Sequence, residues 1–354
     1  MKKDMMRAFE KVYNSNWFVL GKSVDAFEES YAVFNQVKYC VGVSNGMDAL
    51  SMSLKALNIG RGDEVIVPSN TYIATALAVS ETGATPVFAD PDPDTYNMDA
   101  KNTEASITKC TKAIMPVHLY GQCCKMDSLI QLAIKHHLFV VEDNAQSHGA
   151  SFNAKPAGSF GHINATSFYP GKNLGALGDA GAITTNDQKL ANKIKLFRNY
   201  GSKKKYFNEC IGYNRRLDEI QAAFLLVKFE YLQYFTMQRQ QIALHYLQSL
   251  AEVDEIILPT VSKGATHVYH VFLIRTKKRD ALQKFLKEQG IDTLIHYPMP
   301  PHLQKAYSHL GFHKGDFPIA EQLALTSLSL PIYPGLKKAE IEYIIKSIKK
   351  FFVK

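Results

Sequence analysis

Helical and strand-like patterns alternate along the first half of the chain. Apolar residues recur at helical spacing over residues 23–34, where Val24, Phe27 and Tyr31 share one face, and the uniformly apolar run at 39–43 follows as a strand. The same alternation predicts helices at 48–57, 75–82 and 127–136 and strands at 64–67, 86–90, 113–118 and 138–143. Strands that are apolar throughout are buried on both faces, so the pattern predicts an α/β fold with a parallel sheet covered by helices.

The pattern changes after residue 240. Two helices, predicted at 188–199 and 217–235, precede the change, and shorter elements follow it: a strand at 267–276, a helix at 279–290 and a strand at 292–297. A chain of 354 residues is also longer than one hydrophobic core usually supports. We therefore predict a large domain with its N-terminal segment over residues 1–238 and a small α+β domain over residues 239–354.

Composition narrows the class of protein. Hydrophobic residues make up 46% of the chain and charged residues 21%, which is typical of folded globular domains and not of disordered or coiled-coil chains. No apolar run reaches the roughly 20 residues of a membrane-spanning helix, and no apolar segment follows the first basic residues as in a secretory signal. Five cysteines without a C-x-x-C pair favour neither a disulfide framework nor a zinc site. We therefore expect a cytoplasmic protein without a bound metal.

The net charge of +8 indicates an anionic partner, such as nucleic acid, a membrane surface or a phosphorylated small molecule. Two lysine clusters carry much of this charge, one at 203–205 and one in the C-terminal tail at Lys346, Lys349, Lys350 and Lys354. We interpret the tail as a solvated face. The sequence has no helix-turn-helix, zinc finger or aromatic-basic platform, so we expect neither a nucleic acid nor a membrane partner.

A glycine-rich segment that follows a short apolar strand carries a single lysine. The segment is SFYPGKNLGALGDAG at 167–181, and it places Lys172 between Gly171 and Asn173. Small flanking residues let a bulky group approach the backbone, and a crowded amine loses its proton readily. Most lysines in surface loops are merely solvated, whereas these neighbours favour a lysine that forms a Schiff base with a carbonyl compound.

An acidic pair ends the strand predicted at 138–143, within the sequence VVEDNAQSHGA. Asp143 could cap a following helix, but the polar residues after it are a poor start for a helix. Such a concentration of polar groups costs stability unless a ligand or a hydrogen-bond network satisfies it. Open α/β sheets bind ligands at the carboxyl ends of their strands, where an aspartate could hold a proton on a pyridine nitrogen.

Two further strand ends carry candidate ligand contacts. The sequence VSNGMDAL at 43–50 enters a helix at Asn-Gly, where free amides at the positive end of the helix dipole can bind phosphate. In PSNTYIAT at 68–75, Tyr72 could stack on an aromatic ring or be a half-buried structural tyrosine. Each signal is weak alone, yet all four motifs stand at strand ends of one predicted sheet.

In combination these motifs resemble the pyridoxal-phosphate-dependent sugar aminotransferases of the DegT/DnrJ/EryC1/StrS group, a branch of the fold-type I, aspartate aminotransferase-like superfamily. The resemblance extends from NWFVLGKSVDAFE at 16–28 to HYPMPPHLQKAY at 296–307, and it rests most on 140–150, 167–181 and GYNRRLDEIQAA at 212–223. It implies a large domain with a mostly parallel seven-stranded sheet covered by helices and a smaller C-terminal α+β domain. The implied cofactor is pyridoxal 5'-phosphate, with pyridoxamine 5'-phosphate as its intermediate form.

The resemblance also implies roles for individual residues. Lys172 bonds to the cofactor as a Schiff base and relays the proton, Asp143 pairs with the ring nitrogen, and Gln146 binds the ring hydroxyl. The other implied cofactor contacts are Tyr72 and Ala145 on opposite ring faces and, at the phosphate, the amides of Gly46 and Met47, the hydroxyl of Ser167 and Asn214 of the partner subunit. The active unit is therefore expected to be a homodimer with shared active sites. Asn144 stands where the family more often has a small residue.

The resemblance implies L-glutamate as amino donor and a nucleotide-linked keto sugar as acceptor. The segments HYPMPPHLQ and NWFVLG look most like members that act on dTDP-linked 3-keto-6-deoxyhexoses and give 3-amino-3,6-dideoxyhexoses and 2-oxoglutarate. Amination at carbon 4 of UDP- or GDP-linked sugars is the alternative. His296 and Tyr297 are candidate sugar contacts, although His296 could equally be structural, and the lysines at 203–205 are candidate diphosphate contacts.

The lysine at position 172 favours transamination over the dehydratase activity of members that carry histidine there. The competing class is a non-catalytic regulatory protein that binds the cofactor. The complete set of Lys172, Asp143 and Gln146 counts against that class.

Overall fold

Seven strands form one sheet in the computed structural model, which describes residues 1–353. The strands of the described residues, including those outside this sheet, are β1 (Tyr39–Val43), β2 (Glu64–Pro68), β3 (Thr85–Ala89), β4 (Thr111–Ile114), β5 (Phe139–Asp143), β6 (Ser151–Phe152), β7 (Lys155–Pro156), β8 (Ile163–Ser167), β9 (Gly181–Thr185), β10 (Ser202–Lys204), β11 (Phe207–Asn208), β12 (Phe272–Arg275) and β13 (Ser327–Leu330). The order in the large sheet is β1-β9-β8-β5-β4-β2-β3.

Within this sheet only β9 runs against its neighbours. It pairs antiparallel with β1 and β8, whereas the remaining pairs are parallel. The mostly parallel seven-stranded sheet is therefore confirmed. Because β1, β2, β5 and β8 run in the same direction, the loops that follow their carboxyl ends meet at one edge of the sheet.

Helices cover both faces of the large sheet. The helices are α1 (Lys2–Ser15), α2 (Lys22–Phe34), α3 (Gly46–Ala56), α4 (Ile73–Glu81), α5 (Ala100–Ala105), α6 (Met126–Lys135), α7 (Gln188–Phe197), α8 (Glu219–Phe229), α9 (Leu232–Leu250), α10 (Arg279–Glu288), α11 (Pro318–Thr326) and α12 (Lys338–Phe352). Val65 and Val67 of β2 share a core with α3, α4 and α7, whereas Ile66 between them shares a core with α6. This alternation explains why the strand is apolar throughout. Among residues 1–353, no helix combines the length and the apolar character that a membrane crossing requires.

The single helix predicted at 217–235 is wrong. The chain forms α8 and α9 instead, and the Tyr231 amide donates to the Lys228 carbonyl at 3.0 Å in a tight turn between them. Neither glycine nor proline marks this turn, so the helical pattern runs on through it. The other predicted helices are confirmed to within a few residues at each end.

A second core lies around the two-stranded antiparallel sheet of β12 and β13. Helices α9, α10 and α12 contribute Tyr246, Leu282 and Ile344, which are buried with Phe272 of β12. Every residue of this buried core comes from position 242 onward. The predicted domain boundary after residue 238 falls inside α9, and the division into two domains stays a prediction.

Two strand predictions in this part of the chain are wrong: one strand is shorter than predicted, and the other segment is not a strand. The strand predicted at 267–276 is reduced to β12, because Tyr269 has a left-handed backbone with φ of 47° that no strand accommodates. The segment 292–297 is not a strand, since only Leu294 pairs, in an isolated bridge with Ser329. Pro298 follows directly and has no amide hydrogen to extend the pairing.

Candidate active site

A cavity of about 1050 Å³ opens where the loops after β1, β2, β5 and β8 meet. Ten of the residues predicted to bind cofactor or substrate line it: Gly46, Met47, Tyr72, Asp143, Ala145, Gln146, Ser167, Lys172, His296 and Tyr297. They come from distant parts of the sequence and meet because parallel strands present their carboxyl ends together. The structure thus brings the candidates into one site, while the role of each residue stays a prediction.

Lys172 lies in the turn after β8, where its amide donates to the Tyr169 carbonyl at 2.8 Å. The turn is tight: a Cβ added at Gly175 would lie 2.4 Å from the Pro170 carbonyl oxygen, so only glycine fits there. Burial lowers the pKa of the Lys172 amine below its ordinary value, and the Asp143 carboxylate offsets part of that shift. A larger fraction of the amine is therefore neutral and nucleophilic than in a solvated lysine.

Asp143 is buried at the end of β5 and is held by two donors. The Ala145 amide donates to Oδ1 at 3.1 Å, and the Thr75 hydroxyl donates to Oδ2 at 3.0 Å. Burial raises the pKa of the carboxyl group, and these two hydrogen bonds oppose that rise. The carboxylate can therefore interact strongly with a cation or a protonated ring nitrogen in the cavity.

The N-terminus of α3 and the end of β8 form a narrow cradle. The Asn45 side chain caps the helix by accepting from the Asp48 amide at 2.8 Å, whereas the amides of Gly46 and Met47 have no acceptor in the described chain. A Cβ added at Gly46 would lie 2.5 Å from the Ser167 Cβ. Glycine thus allows a close approach that leaves two free amides and a hydroxyl beside each other, as an anion requires.

Aromatic and amide groups form another part of the cavity wall. The Tyr72 side chain is 54% exposed, and its ring centroid lies 5.2 Å from that of Tyr297. Gln146 accepts the Tyr120 amide at 2.7 Å and donates to the Tyr297 hydroxyl at 3.1 Å, which fixes the orientation of its side chain. Ala145 offers a small surface beside these groups, so a flat ring has space to enter.

His296 lines the cavity and also forms a hydrogen bond with Ser329 of β13. Its Nδ1 lies 2.8 Å from the Ser329 Oγ, and its carbonyl accepts the Tyr120 hydroxyl at 2.8 Å. Burial lowers the pKa of His296 to about 4, so the imidazole is neutral at physiological pH. These contacts give the residue a structural role and leave open a contact with substrate.

The sequence analysis missed several polar residues that line the cavity, among them Thr75, Arg239 and His270. Thr75 lies three residues after Tyr72 in the first turn of α4, and that helical spacing was a usable signal. No comparable signal existed for the other two. The His270 Nδ1 lies 3.2 Å from the Asn173 Oδ1, and Arg239 donates to main-chain carbonyls, including that of Ile332 at 2.9 Å.

Comparison with known proteins identifies the family. The sequence model of the DegT/DnrJ/EryC1/StrS aminotransferase family matches residues 1–349. The chain belongs to this family. A dTDP-3-amino-3,6-dideoxy-alpha-D-galactopyranose transaminase from Aneurinibacillus thermoaerophilus is 51% identical over 349 residues, which cover 99% of this chain and 95% of that protein. The family and the enzyme class predicted from the sequence are confirmed.

Solved structures of aminotransferases have the same fold. DesV from S. venezuelae, solved in complex with a ketimine intermediate, is 44% identical with a TM-score of 0.98, and the match covers 100% of this chain and 95% of that chain. NtdA from Bacillus subtilis, solved with bound cofactor pyridoxamine phosphate, is 31% identical with a TM-score of 0.94 over 99% of this chain and 82% of that chain. The predicted fold class is therefore confirmed.

Asn144 departs from the small residue expected in this family, and the structure accommodates it by burial. Its amide donates to the Ala165 carbonyl at 2.8 Å, and its side-chain oxygen accepts the Ser147 hydroxyl. A Cβ added at Gly158 would lie 2.6 Å from the Asn144 Nδ2, so the glycine leaves room for the larger side chain. The turn after Asp143 is thus well packed despite the departure.

Two groups of candidates lie outside the cavity of their own chain. Asn214 is exposed and pairs through its backbone with Asn199, and the lysines at 203–205 are exposed on and beside the hairpin of β10 and β11. In the C-terminal cluster, Lys346 and Lys350 are exposed on α12, and Lys354 lies outside the described residues. None of these side chains lines the described cavity, so a contact with a ligand there would require a second subunit or a conformational change of the chain.

Proposed function

We propose that this protein transfers the amino group of L-glutamate to a dTDP-linked 3-keto-6-deoxyhexose, giving a 3-amino-3,6-dideoxyhexose and 2-oxoglutarate. Pyridoxal 5'-phosphate is the proposed cofactor, and pyridoxamine 5'-phosphate is the form that carries the amino group. The observation that carries the proposal is the meeting of the Lys172 amine and the Asp143 carboxylate in one cavity above two free helix amides. The name of the Aneurinibacillus relative supports this sugar.

The residues of the cavity fit the cofactor. Its phosphate matches the free amides of Gly46 and Met47 beside Ser167, and its pyridine nitrogen matches the buried Asp143 carboxylate. The partly neutral Lys172 amine matches its aldehyde. When bound, pyridoxal phosphate supplies an electron sink for the carbon atom that carries the amino group.

Each proposed role follows from chemistry already present in the chain. Lys172, once free, takes the proton from the substrate carbon and returns it, because its amine is poorly solvated and its pKa is lowered. Asp143 holds the proton on the ring nitrogen. The other proposed contacts orient the ring: Gln146 at its hydroxyl, Tyr72 and Ala145 on its faces, and Gly46, Met47 and Ser167 at its phosphate.

His296 and Tyr297 are the proposed contacts to the sugar. Both line the cavity, and both are tied to neighbouring groups, His296 to Ser329 and Tyr297 to Gln146. A sugar hydroxyl can accept from or donate to such groups without an added charge. The lysines at 203–205 remain candidates for the diphosphate of a substrate bound by the other subunit.

A panel of nucleotide keto sugars tests the proposed reaction. The purified protein is incubated with L-glutamate and one sugar at a time, and the amino sugar is identified by mass spectrometry and NMR. We expect the highest kcat/KM with a dTDP-linked 3-keto-6-deoxyhexose. Preference for a UDP- or GDP-linked 4-keto sugar would replace the proposed substrate with the alternative. Cofactor binding without turnover on any sugar would support the regulatory class instead.

We further propose a homodimer in which Asn214 of one subunit serves the cofactor phosphate of the other. The exposure of Asn214 and its position outside its own cavity support this arrangement. We therefore predict that two impaired variants, Lys172→Ala and Asn214→Asp, restore activity when they form mixed dimers. Half of the dimers are mixed after random exchange, and each has one intact site of two, so about 25% of wild-type activity should return.

The subunits must be exchanged by co-expression or partial unfolding, because a large interface does not exchange readily. Each variant is first assayed alone, since the test requires that Asn214→Asp be impaired by itself. Mixed dimers are isolated with two different affinity tags, and with one intact site of two they should have about 50% of wild-type activity. If the isolated mixed dimers are no more active than the average of the two parents, Asn214 does not act across the interface.

We place this reaction in the cytoplasm, as a step in the biosynthesis of deoxysugars for lipopolysaccharide or another glycan. The five cysteines all have free thiols, which suits a reducing compartment. An amino sugar that leaves the enzyme still linked to its nucleotide is already activated for transfer to a glycan.

A further inference from the structure

Two hydroxyl groups, one just before α4 and one in its first turn, form a chain that leads to Asp143. The Thr71 Oγ1 lies 2.9 Å from the Thr75 Oγ1, and Thr75 in turn donates to the Asp143 Oδ2 at 3.0 Å. All three side chains are buried, and all three residues also line the cavity. Tyr72, which lies between the two threonines, is the proposed stacking residue.

The direction of this chain follows from counting protons. A threonine hydroxyl has one hydrogen, and Thr75 gives it to the Asp143 carboxylate. The contact between the two threonines can therefore form only if Thr71 donates to Thr75. The hydrogen bond from Thr71 polarises the Thr75 hydroxyl, which makes that hydroxyl a stronger hydrogen-bond donor to the ionised carboxylate.

The Asp143 carboxylate depends on few donors. Besides Thr75 it accepts only the Ala145 amide at 3.1 Å, and no salt bridge within the described chain involves it. Burial raises the pKa of this carboxyl group, and the two hydrogen bonds to its charged form oppose that rise, together with the nearby charges of Lys172 and His118. The two donors also occupy different oxygens, which restricts rotation of the carboxylate.

We propose that Thr75, polarised by Thr71, is a positioning residue that keeps Asp143 ionised and directed at the ring nitrogen of the cofactor. This inference rests on the proposed function, since it requires a pyridine nitrogen opposite Asp143. It adds two residues, Thr71 before α4 and Thr75 in its first turn, that act on the reacting atoms only through Asp143.

Binding of two cofactor analogues isolates this effect from catalysis. The apoprotein is titrated with pyridoxamine phosphate and with its 1-deaza analogue, in which carbon replaces the ring nitrogen. The ratio of the two dissociation constants measures the preference for nitrogen opposite Asp143. We expect Thr75→Val to reduce this preference about tenfold or more, because a hydrogen bond to a charged group is lost. The matched control is Thr103→Val, since Thr103 of α5 is equally buried but donates to the carbonyl of Asp99, the N-cap of that helix.

Two further variants separate the hydroxyl from packing. Thr75→Ser keeps the donor and should restore most of the preference, and Thr71→Val should reduce it less than Thr75→Val does. In the half-reaction with glutamate, Thr75→Val should lower kcat while KM stays close to the wild-type value. Thr103→Val should leave both the preference and kcat unchanged.

The outcomes distinguish this inference from the proposed function. If the wild-type protein binds both analogues equally well, the proposed contact between Asp143 and the ring nitrogen is wrong. A wild-type preference that survives intact in Thr75→Val would overturn the hydroxyl chain while the function stands. An equal loss in Thr75→Ser would assign the effect to the methyl group. If Thr75→Val does not fold, Thr71→Val provides the same comparison, and an unchanged preference there would reject the chain.

Discussion

Lys172→Ala is expected to lower turnover with glutamate and the keto sugar by about 10³-fold or more, because the proton relay and the covalent link are both lost. The protein should still fold, since alanine in this turn leaves the glycine-dependent backbone unchanged. It should also still bind pyridoxamine phosphate, which is held by stacking and phosphate contacts. Turnover is measured by the amino sugar formed, and binding by titration of the apoprotein.

Lys189→Ala is the matched control for this variant. Lys189 lies in the first turn of α7, is exposed and does not line the cavity. Its removal should leave turnover and binding unchanged. Near-native turnover in purified Lys172→Ala would mean that another lysine is the catalytic one. Loss of pyridoxamine phosphate binding together with turnover would mean that Lys172 shapes the site.

The large sheet and its ligand edge could be predicted because the signals are local. Most strands of the large sheet that were predicted are short, largely apolar runs, and the motifs of the site stand at or directly after their ends, as Asp143 stands at the end of β5. A parallel sheet then places the motifs together without further information, since its carboxyl ends share one edge. The free amides of Gly46 and Met47 follow from the same rule, because a helix that starts after a strand leaves its first amides unpaired.

The rest of the site depends on contacts between distant segments, which no local pattern encodes. Arg239 and His270 reach the cavity from α9 and from the irregular chain before β12. The segment 292–297 alternates like a strand, yet only Leu294 pairs with β13, on the edge opposite to β12. The position of Asn214 outside the cavity is equally invisible in a single sequence, because it concerns a second subunit.

Asp143→Asn is expected to fold normally and to lose about 10²–10³-fold in the rate of the glutamate half-reaction, as expected for removal of one buried electrostatic contact to the transition state. A neutral amide cannot hold the ring nitrogen protonated, so electrons flow less readily from the substrate carbon into the ring. Folding should not suffer, because burial already disfavours the charge of this carboxylate. The half-reaction is followed by absorbance in a stopped-flow instrument, with cofactor content measured on the same sample.

Asp187→Asn is the matched control, because Asp187 caps α7 away from the cavity and asparagine caps a helix equally well. It should change neither rate nor cofactor content. The comparison within Asp143→Asn is the decisive one: cofactor content should stay near the wild-type value while the rate falls. A parallel fall of both would make Asp143 an anchor for the cofactor, and an unchanged rate would remove it from the chemistry. A fall in rate much larger than any fall in content fits a carboxylate that acts on the ring nitrogen, since the stacking and phosphate contacts do not depend on its charge.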